Sequence, residues 1–261
     1  MPTEMAELYR YPVKGLSAEK LDRVALAVGE GLPHDRRFAI ALGTTEFDAA
    51  HPQWLAKTHF IMLMRDESLA RLATRFDTQT GVLTIAEAER VLLQAPLTEA
   101  GGRSEIAAFF DDFLGGGVAG PLRVVEAPGH AFGDARPKPN AATDKYVSLI
   151  NLASIRDLEA KLGRTVEPIR FRANVYFDGL PAWDEMAWQQ EERHLAIGGA
   201  RLRTIAPITR CAATEVNPAT AERDIKMVAE LMRHYGHNIM GVYAEVIRAG
   251  DIAVGDGITT A

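Results

Sequence analysis

The chain has 261 residues, of which 47% are apolar and 25% are charged, a balance typical of a soluble globular protein with a substantial core. A formal net charge of −6 argues against a surface that coats nucleic acid, and the single cysteine excludes an internal disulfide. The start, MPTEMAELYR, lacks the apolar segment of a signal peptide, and no apolar run is long enough to span a membrane. We therefore expect a cytoplasmic protein with no nucleic-acid or membrane partner.

The first part of the chain is dominated by short β-rich segments separated by glycine, aspartate or proline, which predict strands. These segments are LYRYPVK, DRVALAV, RRFAIAL and GVLTIAE. Between them, RDESLARLATRF is predicted to be a helix from the spacing of Leu69, Leu72 and Phe76. SEIAAFFDDFLG is predicted to be a second helix with Ser104 as its N-cap.

A glycine-rich segment then separates two predicted domains, residues 1–120 and 121–261. Within it, GGGVAG matches the glycine pattern of nucleotide-binding turns, but it follows a helix and precedes a strand. The nucleotide-binding turn has the opposite order, so a plain loop is predicted here. The boundary is placed near Pro121.

The second part of the chain alternates strands and helices. KYVSLIN predicts a strand that leads into the helix LASIRDLEAKLG, with Asn151 as N-cap and Gly163 at its end. LRVVE, PIRFRANVYFDG, HLAIGGARLRTIAPITRC and GVYAEVIRAGDIAVGDGI predict strands, and RDIKMVAELMRHYG predicts an amphipathic helix. The pattern indicates a mixed α/β fold that is mainly β.

Polar residues recur at the ends of these elements. If IRFRANVYF is a strand, Arg172 and Asn174 share its polar face, which is either solvated or part of an anion site. Basic and polar residues at other strand ends are usually solvated surface groups, but together they suggest an anionic ligand. They are Lys14 in YPVKG, Arg36 and Arg37 in DRRF, Lys57 and Thr58 in WLAKTHF, and Arg210.

Asn151 and Ser154 lie at the predicted N-terminus of a helix. Such a position can receive a phosphate, or the two side chains can simply cap the helix.

The segment ITRCAATEVNP contains the only cysteine of the chain, Cys211, directly after Arg210. Three interpretations stay open: a small inert core residue, a nucleophile, or a ligand of a thiophilic metal. The neighbouring guanidinium favours the thiolate, and the position at a strand end is one where functional sites tend to lie. No histidine near it in sequence suggests a cysteine–histidine pair.

The motifs YPVKG, DRRF, NLAS, FRANV, ITRCAATEVNP and GVYAEV, in this order, resemble the MOSC superfamily with its N-terminal β-barrel domain. The resemblance spans nearly the whole chain and is strongest to the amidoxime-reducing-component type of molybdenum enzyme. It implies an N-terminal β-barrel-like domain followed by a MOSC β-barrel domain with flanking helices. It also implies a molybdenum cofactor, that is, molybdenum bound by molybdopterin, with Cys211 as the protein ligand of the metal and the catalytic residue.

The resemblance further implies which residues hold the anionic pterin. Those that match family positions are Lys14, Arg37, Arg172, Asn174, Arg210 and Tyr243, with Lys57, Thr58, Asn151 and Ser154 as weaker matches. The family usually has glycine where this chain has Ala221, and alanine resists the positive φ that glycine permits.

By this resemblance, the protein is expected to be a molybdenum-dependent oxidoreductase that reduces small N-hydroxylated or N-oxide-type substrates. Its electrons must come from a separate flavin or iron–sulfur reductase, because the sequence contains no flavin, nicotinamide or iron–sulfur motif. The alternative is a sulfur carrier that holds a persulfide on Cys211 for the assembly of a metal–sulfur cluster. APGHAFGDARPKPNAAT, residues 127–143, is either a lid over the site or a surface loop.

Overall fold

The computed structural model describes residues 2–115, 120–188 and 193–260. Its strands are β1 (Glu4–Arg10), β2 (Glu19–Leu21), β3 (Arg23–Leu26), β4 (Phe38–Ala41), β5 (Leu72–Phe76), β6 (Val82–Glu87), β7 (Arg90–Pro96), β8 (Arg123–Glu126), β9 (Val147–Asn151), β10 (Val175–Asp178), β11 (His194–Ile197), β12 (Ala200–Thr209), β13 (Ile239–Arg248), β14 (Gly250–Ala253) and β15 (Ile258–Thr260). The α-helices are α1 (Ala100–Phe113), α2 (Leu152–Leu162), α3 (Glu185–Trp188) and α4 (Met227–Tyr235).

The main sheet has eight strands in the order β15-β11-β12-β13-β9-β10-β1-β2. Neighbours are antiparallel except β9 and β10, whose parallel pairing requires a crossover, and α2 lies in that connection. The sheet curls into a half-barrel, so the predicted fold class, mixed α/β but mainly β, is confirmed.

Strand pairs join the two ends of the chain. β1 pairs with β10, β3 with β14, and β4 with β8, so each pair crosses the boundary predicted near Pro121. The boundary itself stays a prediction. The third small sheet, β5-β6-β7, is formed within the first part.

Buried apolar side chains form separate clusters on the two sides of the molecule. One lies along the main sheet and includes Leu149, Val175 and Val242. Another fills the space between α1 and strands β4 to β7, with Phe38 and Phe110 at its centre. Each large side chain that is fully buried contributes roughly 1.5–3 kcal/mol of transfer free energy. The cavity described below lies where loops from both parts meet.

Local signals explain α2. The Asn151 side chain accepts a hydrogen bond from the Ala153 amide at 3.0 Å, and Gly163 ends the helix with φ 65°. The Gly163 amide donates to the Glu159 carbonyl at 2.8 Å, which satisfies one of the last carbonyls of the helix. Both predicted caps are therefore confirmed.

Two of the sequence predictions for the first part of the chain were wrong. RDESLARLATRF is not an α-helix: a 3-10 helix covers Glu67–Arg71, and Leu72–Phe76 is strand β5, paired with β6. Ser104 is not an N-cap, because α1 already begins at Ala100 and the Ser104 hydroxyl donates to the carbonyl of Ala100.

Most of the glycine-rich GGGVAG segment lies outside the described residues. Among the helices that the structure describes, none is both long and apolar enough to cross a bilayer.

Candidate functional site

A cavity of about 450 Å³ contains Cys211 in its lining. Its walls come from the loop after β1, from residues 62–64, from the segment after β8, from the end of β12 and from the middle of β13. The basic residues that line it are Lys14, Arg36, Lys57, Arg136, Lys138, Lys145, Arg170, Arg172 and Arg210, and the acidic ones are Asp35, Asp134 and Asp144. A chain with a net charge of −6 therefore concentrates positive charge in this one cavity.

Cys211 lies two residues after the end of β12, where the strand is irregular. The pairing of β12 with β13 shifts register between Pro207 and Thr209, since proline has no amide hydrogen to donate to the ladder. The carbonyl of Cys211 accepts hydrogen bonds from the amide and the hydroxyl of Thr214, at 3.0 and 2.8 Å. These bonds hold the thiol-bearing turn. Cys211 is half-buried and belongs to none of the apolar clusters in the described part of the chain, which does not favour the inert-core interpretation.

Arg210 is buried beside the thiol with 8% of its surface exposed. Its guanidinium donates only to backbone carbonyls: Nε to Met240 at 2.9 Å, Nη1 to Phe171 at 2.7 Å, and Nη2 to Met240. Within the described residues it has no carboxylate partner. Burial lowers the pKa of Arg210, because removal from water disfavours the charged form.

Gly241 lets the strand pass close to this guanidinium. Its φ is 81°, and a Cβ there would collide with the Leu149 carbonyl and the Ile150 side chain and would approach Arg210 Nη2 at 3.4 Å. Glycine is therefore required next to the site for both conformational and steric reasons.

Arg172 reaches the cavity by a route that the sequence did not predict. The predicted strand IRFRANVYF begins instead as a 3-10 helix, Pro168–Phe171, and only Val175–Asp178 forms strand β10. Arg172 follows the 3-10 helix with φ 52°, a left-handed conformation that is uncommon outside glycine. The predicted alternation of polar and apolar faces is thus wrong before Val175. Arg170 instead forms ion pairs with Glu167 and Asp224.

Arg36 and Arg172 lie against the same aromatic ring, that of Tyr11. Their guanidinium carbons are 4.7 and 4.5 Å from the ring centroid, and Arg36 Nη2 donates to the Arg172 carbonyl at 3.1 Å. Arg36 also has a left-handed φ of 51° and forms an ion pair with Asp35. Arg172 donates to the Leu16 carbonyl at 2.7 Å and, among described residues, has no carboxylate partner. Burial lowers its pKa.

Lys14 connects the cavity to residues 127–143. Its ammonium is buried, donates to the Phe132 carbonyl at 2.9 Å and forms an ion pair with Asp134. Burial lowers the pKa of Lys14, and Asp134 opposes that shift. The Arg136 guanidinium stacks on Trp54 with its carbon 5.0 Å from the ring. The segment thus lines the cavity, as the lid interpretation requires.

Asn174 and Tyr243 also line the cavity, as does Lys57. Asn174 is 1% exposed, and its side-chain amide is already used in the sheet. Its Oδ1 accepts from the amide and hydroxyl of Ser148 at 3.1 and 2.8 Å, and its Nδ2 donates to the Tyr9 carbonyl at 3.2 Å. Burial raises the pKa of Tyr243, so its phenol stays protonated.

Arg37 and Thr58, two further residues singled out from the sequence, are not in the cavity lining. Arg37 Nε donates to Glu126 at 2.7 Å, and its Nη1 is 3.1 Å from His34 Nδ1. Arg36, its neighbour, takes the place in the cavity instead. Thr58 is exposed on the 3-10 helix Lys57–His59. Arg36 has a positive φ, and its side chain rather than that of Arg37 lines the cavity. No sequence signal marks this backbone conformation.

Asn151 and Ser154 do not line the cavity either and surround the buried Glu185. Ser154 Oγ donates to the carboxylate at 2.7 Å, and Asn151 Nδ2 donates at 3.3 Å. Burial raises the pKa of Glu185, and these donors oppose the shift. The simpler alternative, helix capping, therefore accounts for Asn151, and the structure gives Ser154 a structural contact.

The described residues contain no group of three or more histidine, cysteine or acidic residues that could by itself hold a metal ion. The cavity nevertheless offers a thiol beside buried cations. This combination fits a metal whose remaining ligands belong to an anionic cofactor better than a metal held by the protein alone.

Two family models match the chain. One, described as the MOSC domain, covers residues 128–259, and the other, the MOSC N-terminal beta barrel domain, covers residues 3–116. The chain is 23% identical over 296 residues to the Homo sapiens mitochondrial amidoxime-reducing component 1, covering 97% of this chain and 82% of that protein.

Other relatives match over a smaller share of their length. The Bos taurus mitochondrial amidoxime reducing component 2 is 27% identical over 124 residues, which is 43% of this chain and 36% of that protein. The molybdenum cofactor sulfurase of Caenorhabditis briggsae is 24% identical over 254 residues, which is 93% of this chain and 33% of that protein. The match therefore spans about a third of each of these two relatives.

Proposed function

Because the chain belongs to the MOSC domain family, we propose that it binds a molybdenum cofactor and acts as an oxidoreductase on small N-hydroxylated or N-oxide-type substrates. Relatives named amidoxime-reducing components support the reaction class. Reduction of N–OH to N–H takes up two electrons and two protons and releases water. The electrons come from a separate flavin or iron–sulfur reductase. The cytoplasmic location stays a prediction.

The observation that carries this proposal is the pair of guanidiniums that share the cavity with Cys211. Arg172 and Arg210 form no ion pair with a carboxylate among the described residues, although Arg210 is almost completely buried. A buried charge that is hydrogen-bonded but has no opposite charge beside it still carries a desolvation cost of several kcal/mol. An anionic ligand would offset that cost, and arginine suits phosphate because its planar donors match the oxygen atoms.

The donor set fits a molybdenum–pterin group. Cys211 would bind the metal as the thiolate, and Arg172, Arg210, Arg36 and Lys14 would hold the anionic part. When bound, the cofactor supplies the two-electron chemistry. The chain's own residues position it and offset its charge, while Tyr243 keeps a phenolic hydrogen for donation.

Metal and pterin analysis tests the proposal. The full chain, purified from a host that makes the cofactor, should contain molybdenum and pterin in stoichiometric amounts. Cys211→Ser should remove the metal ligand and abolish reduction of an amidoxime probe, while the variant still folds. A wild-type chain without molybdenum and pterin, or a fully active Cys211→Ser variant, would contradict the proposal.

A second candidate function is sulfur transfer through a persulfide on Cys211. The similarity to a molybdenum cofactor sulfurase along most of this chain favours it. A solvent-accessible thiol can carry a reversible persulfide. Intact mass spectrometry distinguishes the two functions: an added sulfur atom on Cys211 in a chain without molybdenum supports the carrier.

A further inference from the structure

The Arg223 guanidinium joins two cavity walls that are far apart in sequence. Its Nη1 donates to the Ala212 carbonyl at 3.1 Å, next to the thiol-bearing residue. Its Nη2 donates to the carbonyls of Met64 and Leu63 at 2.8 and 3.5 Å, and to Glu67 Oε2 at 3.1 Å. One planar group thus bridges backbone atoms from both family regions.

A tight loop presents this side chain. Arg223 pairs with Val216 in an isolated antiparallel bridge, and the Asn217 amide donates to the Glu222 carbonyl at 2.7 Å. Ala221 closes the loop with φ 59°, and its amide donates to the Asn217 carbonyl at 2.8 Å. The chain therefore keeps a strained conformation two residues before Arg223, and strain of this kind persists where the surroundings require it.

The two bridged segments both contribute residues to the cavity lining. We call residues 62–64 the methionine wall and residues 211–215 the thiol turn. Met62, Leu63 and Met64 line the cavity, and so do Cys211 and two residues of its turn. Methionine side chains adapt easily to different shapes, so they do not by themselves fix the distance between the methionine wall and the thiol turn. Another group has to hold the two backbone segments at that distance.

We propose that Arg223 is a positioning residue that fixes the distance between the methionine wall and the thiol turn. It thereby limits the size of the molecules that reach the sulfur of Cys211. Arginine suits this role because its planar fork makes several hydrogen bonds from one rigid group. The proposal goes beyond the proposed function, because it concerns the shape of the cavity and holds with or without molybdenum.

The single cysteine allows a direct test. The full chain is made in a host that cannot synthesise the cofactor, so that the thiol is free. Alkylation rates are measured by intact mass with a small reagent, iodoacetamide, and a bulky one, pyrenyl maleimide. Arg223→Ala should raise the bulky-to-small rate ratio about tenfold or more, because about tenfold already corresponds to one lost charge-assisted hydrogen bond and the variant loses all four. Arg223→Lys should give an intermediate ratio, because an ammonium cannot reach all the carbonyls at once.

Arg233→Ala is the matched control. Arg233 is an exposed arginine of α4 whose ion pair is with Glu230, so its loss should leave the ratio unchanged. A purely structural role for Arg223 predicts that both rates rise in proportion as the fold loosens, and that result would overturn the proposal. An unchanged ratio in Arg223→Ala would overturn it as well. If Arg223→Ala does not fold, a wild-type ratio in Arg223→Lys refutes it. Metal analysis is a separate readout, so failure here leaves the proposed function intact.

Discussion

Replacement of Ala221 by glycine should stabilise the protein, although the change removes a methyl group. Ala221 has φ 59°, a left-handed conformation that costs a residue with a Cβ about 1–2 kcal/mol. Glycine avoids this cost but loses about 0.5–1 kcal/mol more conformational entropy on folding. The balance predicts a gain of about 0.5–1 kcal/mol in the free energy of unfolding, which raises Tm by about 1–4 °C in a protein of this size.

Urea unfolding followed by circular dichroism measures this gain, with two alanines as controls. Ala88→Gly should also stabilise, since Ala88 is exposed with φ 52° in the turn between β6 and β7. Ala219→Gly, in the same loop as Ala221 but without a positive φ, should destabilise by about 0.4–1 kcal/mol through the unfolded chain. If Ala221→Gly destabilises as much as Ala219→Gly, the strain argument is refuted.

Two further predictions concern buried charges. Arg172→Met should lower cofactor retention about tenfold or more while leaving apo-protein stability unchanged or higher, because a half-buried charge without a carboxylate partner among the described residues is replaced by an apolar group. Arg37→Met, which alters a residue outside the cavity, serves as the control and should keep the wild-type cofactor content. Fluorescence of the released pterin measures the cofactor content of both variants. Glu185→Gln should flatten the pH dependence of stability in the acid range. Burial raises the pKa of Glu185 above 4.5, so the folded protein binds the extra proton, and wild-type stability falls as pH rises through the raised value. Urea titrations at several pH values measure the free energy of unfolding. If it falls with rising pH as steeply in Glu185→Gln as in the wild type, the reasoning is contradicted.

Local signals predicted the elements whose causes are local. The cap at Asn151 and the left-handed Gly163 define α2 because both act within one turn of the helix. Cys211 and Arg210 were identified together because they are adjacent in sequence, and the structure indeed puts both in the cavity lining.

Tertiary contacts decided the elements that sequence reasoning missed. Leu72–Phe76 has helical spacing but forms a strand, because β6 supplies a partner that a helix could not use. Arg172 was expected on a strand, but the chain forms a 3-10 helix from Pro168 to Phe171. Arg172 then has a left-handed φ, which a strand residue does not have. Arg36 and Arg37 are chemically identical, so only the backbone conformation separates them. Arg223 acts through carbonyl groups, which leave no trace in a sequence.

The strand pairs between the chain ends have a consequence for synthesis on the ribosome. β3 has to wait for β14, and β1, which can pair early with β2, has to wait for β10 on its other edge. At about 5–20 residues per second, the wait for β14 lasts on the order of ten seconds or more. Until these strands are made, Leu26 of β3 lacks its paired strand, and Met5 and Leu8 of β1 have only β2 beside them, although all three are buried in the finished fold. We expect the segment that contains β1 and β3 to be the part of this protein that depends most on chaperones.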